Sequence, residues 1–321
     1  VRVVFMGSPE FAVPCLRALR EHHDVALVVS QPDKPAGRGG KIAAPAVKIA
    51  AQELGLPVIQ PRSARTGELR DAVAASGAEL AVVVAYGKIL PRPVLEALPR
   101  GCINVHGSLL PRYRGAAPVQ WAVIHGETET GVSIMQLDEG MDTGPVLLER
   151  RAAIDPAETA GELLARLAPI GAHALIEAIA AIEAGTLHAV AQDHSHASHA
   201  PMLAKSDGAI DFAQPAVAVA ARIRGVDPWP GAQAVLRGQI VKLFRAEPAP
   251  REPAASAPPM TSAPPGTVIS IDAGGVHVAA ADGAVVIREL QAAGRKRMAA
   301  AQFAAGRGIA VGDVLARPEP T

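Results

Sequence analysis

One feature limits more than any other what this chain can fold into: through its first half, short β-branched runs alternate with stretches of helical period. Residues 2–6 form the first such run, and Gly7-Ser8-Pro9 ends it. Residues 10–20 then place Phe11, Cys15 and Leu19 on one helical face. Strands are expected at 24–30, 57–60, 80–85, 101–106, 132–137 and 146–153. Helices are expected at 46–54, 66–76 and 160–183, the last interrupted at Pro169-Ile170-Gly171. The 80–85 run is apolar throughout, as a strand buried on both faces requires. Parallel strands need long crossovers, usually helical. The alternation therefore implies an α/β fold: a Rossmann-like, mostly parallel sheet with helices on both faces. Almost half of the residues are hydrophobic and few are aromatic, which suits an aliphatic core.

The texture changes further along. Between 185 and 205 the periodicity fades, and His194, His196 and His199 crowd a segment read as a solvated linker. No acid or thiol with ligand spacing accompanies them, so no metal site is expected. A short helix at 216–224 precedes β-like runs at 233–236, 240–246, 266–271, 275–280 and 284–290. Short strands with Gly turns suggest a small OB-like β-barrel. The organisation expected is a catalytic domain at 1–188, a linker at 189–206 and a barrel domain at 207–321. A Pro/Ala/Ser-rich insertion at 247–265 interrupts the barrel. The two cysteines, Cys15 and Cys102, are expected as buried, reduced thiols. No continuous apolar run approaches the ~18 residues of a membrane span. The opening residues are too short for a signal peptide, so a cytoplasmic protein without membrane attachment is expected. Lys/Arg and Asp/Glu balance at 31 each. From Lys205 onward there are 13 basic against 10 acidic residues, a bias compatible with a nucleic-acid-facing domain but too small to establish one.

Two glycine loops invite a nucleotide reading and fail it. Gly7-Ser8-Pro9-Glu10 follows a strand but lacks G-x-G-x-x-G, and Pro9 and Glu10 crowd the pyrophosphate position. Gly37-Arg38-Gly39-Gly40-Lys41 lacks P-loop spacing. It reads equally as a surface loop with two cations or as a loop that grips a nucleic acid. The most informative segment is Asn104-Val105-His106-Gly107-Ser108-Leu109-Leu110-Pro111. Asn104 and His106, two apart at a strand end, project to one face. Ligands bind at strand C-termini in open α/β sheets. An amide and an imidazole side by side suit a reaction that develops an oxyanion. Asp142, in Met141-Asp142-Thr143-Gly144, is the third candidate, and a carboxylate beside an imidazole fixes its orientation. By spacing alone, a strand-end Asn or His is often only a turn cap, and a loop Asp-Thr-Gly often only turns the chain.

The run from Asn104 through Arg112-Tyr113-Arg114-Gly115-Ala116-Ala117-Pro118 resembles the signature of folate-dependent formyltransferases. Gln136-Leu137-Asp138 through Gly144 resembles their second catalytic loop. Within that superfamily, several further segments are similar to the methionyl-tRNA formyltransferases. They are Gly7–Ala12 and Gln31–Gly39, Val83–Pro91, Asp227-Pro228-Trp229-Pro230-Gly231 and Leu290–Met298 with its Gly294-Arg295-Lys296-Arg297. The resemblance covers essentially the whole chain. Asp227 departs from the family's usual Asn, and Met202 stands where Lys is common.

The resemblance implies transfer of a formyl group from 10-formyltetrahydrofolate to initiator methionyl-tRNA, without a metal; a monomer is expected. It implies catalytic roles for Asn104, His106 and Asp142. Folate contacts are implied at Tyr86, Gly87, Ile89, Gly140 and Ser108-Leu109-Leu110-Pro111. For tRNA it points to Arg38 and Lys41, and to Lys205, Arg295 and Lys296, with Arg297 beside them. The rival readings are a sugar-nucleotide or other amine formyltransferase and a non-catalytic RNA-binding protein.

Overall fold

The computed structural model describes residues 1–36, 41–250 and 263–319. The chain divides into two compact units. The first comprises Val1–Pro118, Glu129–Ala153 and Leu164–Pro201; the second comprises Val119–Thr128, Ile154–Leu163 and Met202–Thr321.

In the first unit the strands are β1 (Arg2–Gly7), β2 (Asp24–Val29), β3 (Lys34–Ala36), β4 (Lys41–Ala43), β5 (Val58–Ile59), β6 (Leu80–Val84), β7 (Cys102–His106), β8 (Glu129–Gln136) and β9 (Val146–Ala153). Seven of them form one sheet in the order β5-β2-β1-β6-β7-β8-β9. It is parallel through β7 and antiparallel at β8 and β9. β1 lies between β2 and β6, and its Val3, Val4, Phe5 and Met6 are wholly buried. Every residue of β6 is buried as well, as a central strand covered on both faces must be. Val4, Met6, Val29, Ala81 and Val83 share one face with Leu69 and Val73 of the helix Gly67–Ala75. The hairpin β3–β4 has no counterpart in the expected strands, because it brackets the glycine loop read as irregular. Gly37 to Gly40 of that loop lie outside the described residues.

One expectation is corrected. The helix Ala160–Ala184 is continuous through Pro169. Proline removes a single ladder hydrogen bond, and burial of Leu163, Leu167, Ala174, Leu175, Ala178 and Ile179 offsets the loss. Gly171 permits close packing, since a Cβ there would sit 3.1 Å from Val105 Cγ1. By length and composition alone this helix could also cross a membrane, though half of its most apolar window is buried inside the protein.

The second unit holds β10 (Ala232–Leu236), β11 (Gln239–Pro248), β12 (Val268–Asp272), β13 (Gly275–Ala280), β14 (Gly283–Ala292), β15 (Met298–Ala299) and β16 (Leu315–Ala316). They run antiparallel in the order β12-β13-β14-β11-β10-β16, with β15 on β14, as a half-barrel. Val276, Val278, Val285, Ile287 and Leu290 are buried. Most of the Pro/Ala-rich insertion, residues 251–262, lies outside the described residues.

Candidate active site

The site grows from the end of β7. Asn104 and His106 lie in register with Met135 and Ser133 of the antiparallel β8, and both are nearly buried, at 8% and 5% exposure. Among the described residues nothing hydrogen-bonds the Asn104 carboxamide, and its polar atoms are not among the buried, unpartnered ones. A nearly enclosed amide is thus left with its hydrogen-bonding capacity free.

His106 is fixed from one side. Its Nε2 lies 2.9 Å from the Tyr113 carbonyl oxygen. A carbonyl only accepts, so Nε2 carries the proton and Nδ1 is the working atom. Nδ1 lies 3.7 Å from Asp142 Oδ2. That is just beyond a hydrogen bond and within the range of a direct charge–imidazole interaction. The same Oδ2 accepts from the Gly115 N–H at 2.8 Å. Gly115 has φ +118°, and a Cβ there would lie 2.7 Å from the Ala200 carbonyl oxygen, so only glycine fits. Asp142 itself has φ 54°, an unusual state for a non-glycine residue in a loop. Its loop is braced by Asp138, whose Oδ1 accepts from the Gly140 N–H at 3.0 Å and from Thr143 Oγ1 at 2.7 Å. At Gly144 a Cβ would run into the Gln136 carbonyl. The structure therefore brings His106 and Asp142 together, with Asn104 two residues before His106 on the same strand.

The residues expected around a folate divide by exposure. Gly87, Ile89 and Gly140 are exposed, with Met141 beside them. Leu109 and Pro111 are half-buried. Leu110 is buried, and its N–H donates to Ser133 Oγ at 3.1 Å. The side chains of Tyr86 and Ser108 are closed off. Ser108 is fully buried and donates to the Arg112 carbonyl at 2.6 Å, as a turn hydroxyl does. Tyr86 is 1% exposed within the core, and burial with nearby Glu68 pushes its hydroxyl up to about 12. Its carbonyl accepts from Gln31 Nε2 at 3.0 Å. Cys102, two residues before Asn104, is held up at about 12 by burial and supplies no thiolate nucleophile. Cys15 is likewise a free, buried thiol raised by burial.

Of the expected tRNA contacts, Arg38 lies outside the described residues, and Lys41 opens β4. Lys205, Arg295 and Lys296 are exposed, and among the described residues no carboxylate pairs with their side chains. Arg297 is committed elsewhere: it bonds Glu289, lies 3.5 Å from Asp227 and covers the Phe244 ring at 4.1 Å. Among the described residues, no group of three or more His, Cys, Asp or Glu is placed to hold a metal ion.

Sequence reasoning missed three supporting residues. Ser133 Oγ bridges the Ser108 carbonyl at 2.8 Å and the Leu110 N–H. Arg114 and Gln192 form a buried pair behind Asp142. The stretch expected as a linker is not free at 198–200: Arg114 N–H donates to the Ser198 carbonyl, and Ala200 N–H to the Arg114 carbonyl.

Residues 1–179 match the formyl transferase family, and residues 202–308 match the formyl transferase C-terminal domain. The chain belongs to the formyl transferase family. Methionyl-tRNA formyltransferase of Desulfotalea psychrophila is 48% identical over 98% of this chain and 95% of its own length. That of Sorangium cellulosum is 47% identical over 99% of this chain and its full length. Among solved structures, an N-formyltransferase from Helicobacter canadensis, in complex with folinic acid and dTDP-3-aminofucose, aligns with a TM-score of 0.66. It is 16% identical and covers 93% of this chain and 100% of its own, a likeness of fold alone. The formyl transferase framework thus extends across both units of the chain.

Proposed function

We propose that this formyl transferase moves the formyl group of 10-formyltetrahydrofolate to the α-amine of initiator methionyl-tRNA, in the cytoplasm. The reading is carried by one observation: Asp142 Oδ2 and His106 Nδ1 are held 3.7 Å apart, at the end of the strand that also carries Asn104 two residues before His106. Full-length relatives bearing that activity's name support it.

The methionyl amine attacks the formyl carbon, and a new C–N bond forms. The carbonyl oxygen takes the negative charge of a tetrahedral intermediate. Asn104 donates to that oxygen from its amide, and His106 donates through Nδ1 when the ring carries both protons. Such preorganised donors are worth most where water is excluded, and Asn104 and His106 are both nearly buried. Asp142, 3.7 Å from His106 Nδ1, orients that ring and takes up the proton lost by the amine, directly or through a water. The oxyanion then collapses to a carbonyl, the C–N10 bond breaks, and N10 leaves with the proton that Asp142 had taken from the amine. Gly87, Ile89, Gly140 and the 108–111 turn border the folate. Arg38, Lys41, Lys205, Arg295 and Lys296 supply positive charge for the tRNA phosphates.

The test uses formyl-labelled 10-formyltetrahydrofolate offered with methionyl-tRNA, with uncharged tRNA and with an amino-sugar nucleotide. Label on the methionyl ester alone is expected. Label only on the sugar, or tRNA binding without any transfer, would refute the assignment.

A further inference from the structure

We infer that Gln192, backed by the buried guanidinium of Arg114, is a positioning residue that sets the Asp142 carboxylate; the inference rests on the catalytic reading of Asp142 above. Gln192 is 9% exposed and uses its whole amide. Its Nε2 donates to the Asp142 carbonyl at 2.9 Å and to the Gly144 carbonyl at 2.6 Å. The first is the carbonyl of Asp142 itself, which adopts φ 54°, and the second lies two residues further along the loop. One amide group therefore holds the strained residue and the turn that follows it, and a left-handed non-glycine residue persists only where its surroundings over-determine it.

The other end of the amide is also spoken for. Gln192 Oε1 accepts from Arg114 Nε at 3.1 Å and from Arg114 Nη2 at 2.6 Å. Two donors on the oxygen decide the orientation of the carboxamide, so its NH2 faces the loop carbonyls. Arg114 is only 5% exposed, and among the described residues no carboxylate pairs with it. Its remaining contact is His194 Nδ1 at 3.0 Å, which must accept. A buried cation costs free energy unless its donors are met. Here Nε and Nη2 are met by the Gln192 amide oxygen and by a ring nitrogen of His194 rather than by an acid. An acid at either place would compete with Asp142 for positive charge; these partners leave Asp142 as the carboxylate facing His106.

Arg114 is itself anchored. Its N–H donates to the Ser198 carbonyl at 2.8 Å and its carbonyl accepts from Ala200 N–H at 2.7 Å. Tyr113, whose carbonyl fixes His106, donates its own N–H to Ser198 Oγ at 2.9 Å. The 192–200 segment thus reaches both catalytic partners, His106 through Tyr113 and Asp142 through Gln192.

The experiment is a double-mutant cycle on the full chain with both substrates. Gln192→Leu is expected to lower kcat about 100-fold, the scale of a misplacement of about 1 Å, with little change in either KM. In the Asp142→Ala background it is expected to cost nothing further, because the group it positions is gone. Gln192→Glu guards against a variant that fails to fold. It keeps an acceptor for Arg114 but loses both donors to the loop, and the same loss and the same non-additivity are expected. A loss that multiplies onto that of Asp142→Ala would overturn the inference, since Gln192 would then act elsewhere. So would near-wild-type turnover in Gln192→Leu, while a large loss in Asp142→Ala left the active-site reading standing. If Asp142→Ala turned over normally, both would fall.

Discussion

The polar groups of the first unit and the cations of the second are built on opposite terms. Around β7, His106, Asp142, Gln192 and Arg114 are largely enclosed, and each is held by a named partner. On the second unit, Arg295 and Lys296 stand in solvent with no carboxylate paired to their side chains among the described residues. Stabilising a developing charge requires donors already in place, because reorganisation at the moment of reaction is lost catalysis. Attracting phosphates requires charge at the surface and tolerates mobility. The same distinction decides what substitutions do: in the first region geometry is lost, in the second only charge.

The largest effect expected is that of Asn104→Ala. Its free carboxamide is the donor with no structural duty, so turnover should fall about 100- to 1000-fold with folding unchanged. Single-turnover kinetics and a thermal melt check both halves of that statement. Gly115→Ala sharpens the comparison from the backbone side. The new Cβ meets the Ala200 carbonyl at 2.7 Å and φ is +118°, so we expect a loss of about 1–3 kcal/mol of stability. The N–H that holds Asp142 should also be displaced. Denaturant titration reads the first effect and kcat the second; a variant as stable and active as wild type would contradict the geometry.

Charge removal on the second unit should look different. Arg295→Ala with Lys296→Ala is expected to act on kcat/KM for tRNA. The slope of its log against log salt should fall by about one for each phosphate that the variant no longer neutralises. A fall in kcat with an unchanged salt slope would mean that these cations serve the chemistry or the fold instead.

The two regions also differed in how much of them could be read from the residues alone. The buried strand β6 was legible as an uninterrupted apolar run, and Asn104 and His106 as a two-residue spacing at a strand end. Asp142 was legible only through its motif, because nothing local links it to a histidine in another strand. Gln192 was not legible. It lies 78 positions from Arg114, and its other partners are main-chain carbonyls, which leave no mark on residue type. The segment around it lacks periodicity for that same reason: its order comes from main-chain pairing with residues 111–117 and not from an apolar face. The helix through Pro169 misled in the opposite sense, since local propensity argued for a break and tertiary burial prevailed.

The smallest effect expected comes from an ion pair within the second unit, Arg245 with Glu162. The Arg245 hydrogen bond, assisted by Thr159, lowers the Glu162 carboxyl from 4.5 to about 2. A group depressed in the folded state contributes stability above its ordinary value and loses it as the pH falls toward the folded one. The contribution of Glu162 is therefore complete above about pH 4.5 and fades between there and about 2. Unscreened, a displacement of that size would be worth about 3 kcal/mol. Both side chains keep more than a third of their exposure, at 38% and 44%, so screening by solvent reduces the pair to about 1 kcal/mol or less. Arg245→Met should accordingly lower the thermal midpoint slightly at pH 6, and the difference from wild type should shrink as the pH is taken down to 3. A difference that stayed constant across that range would assign the effect to packing of the arginine stem on β11 and not to its charge.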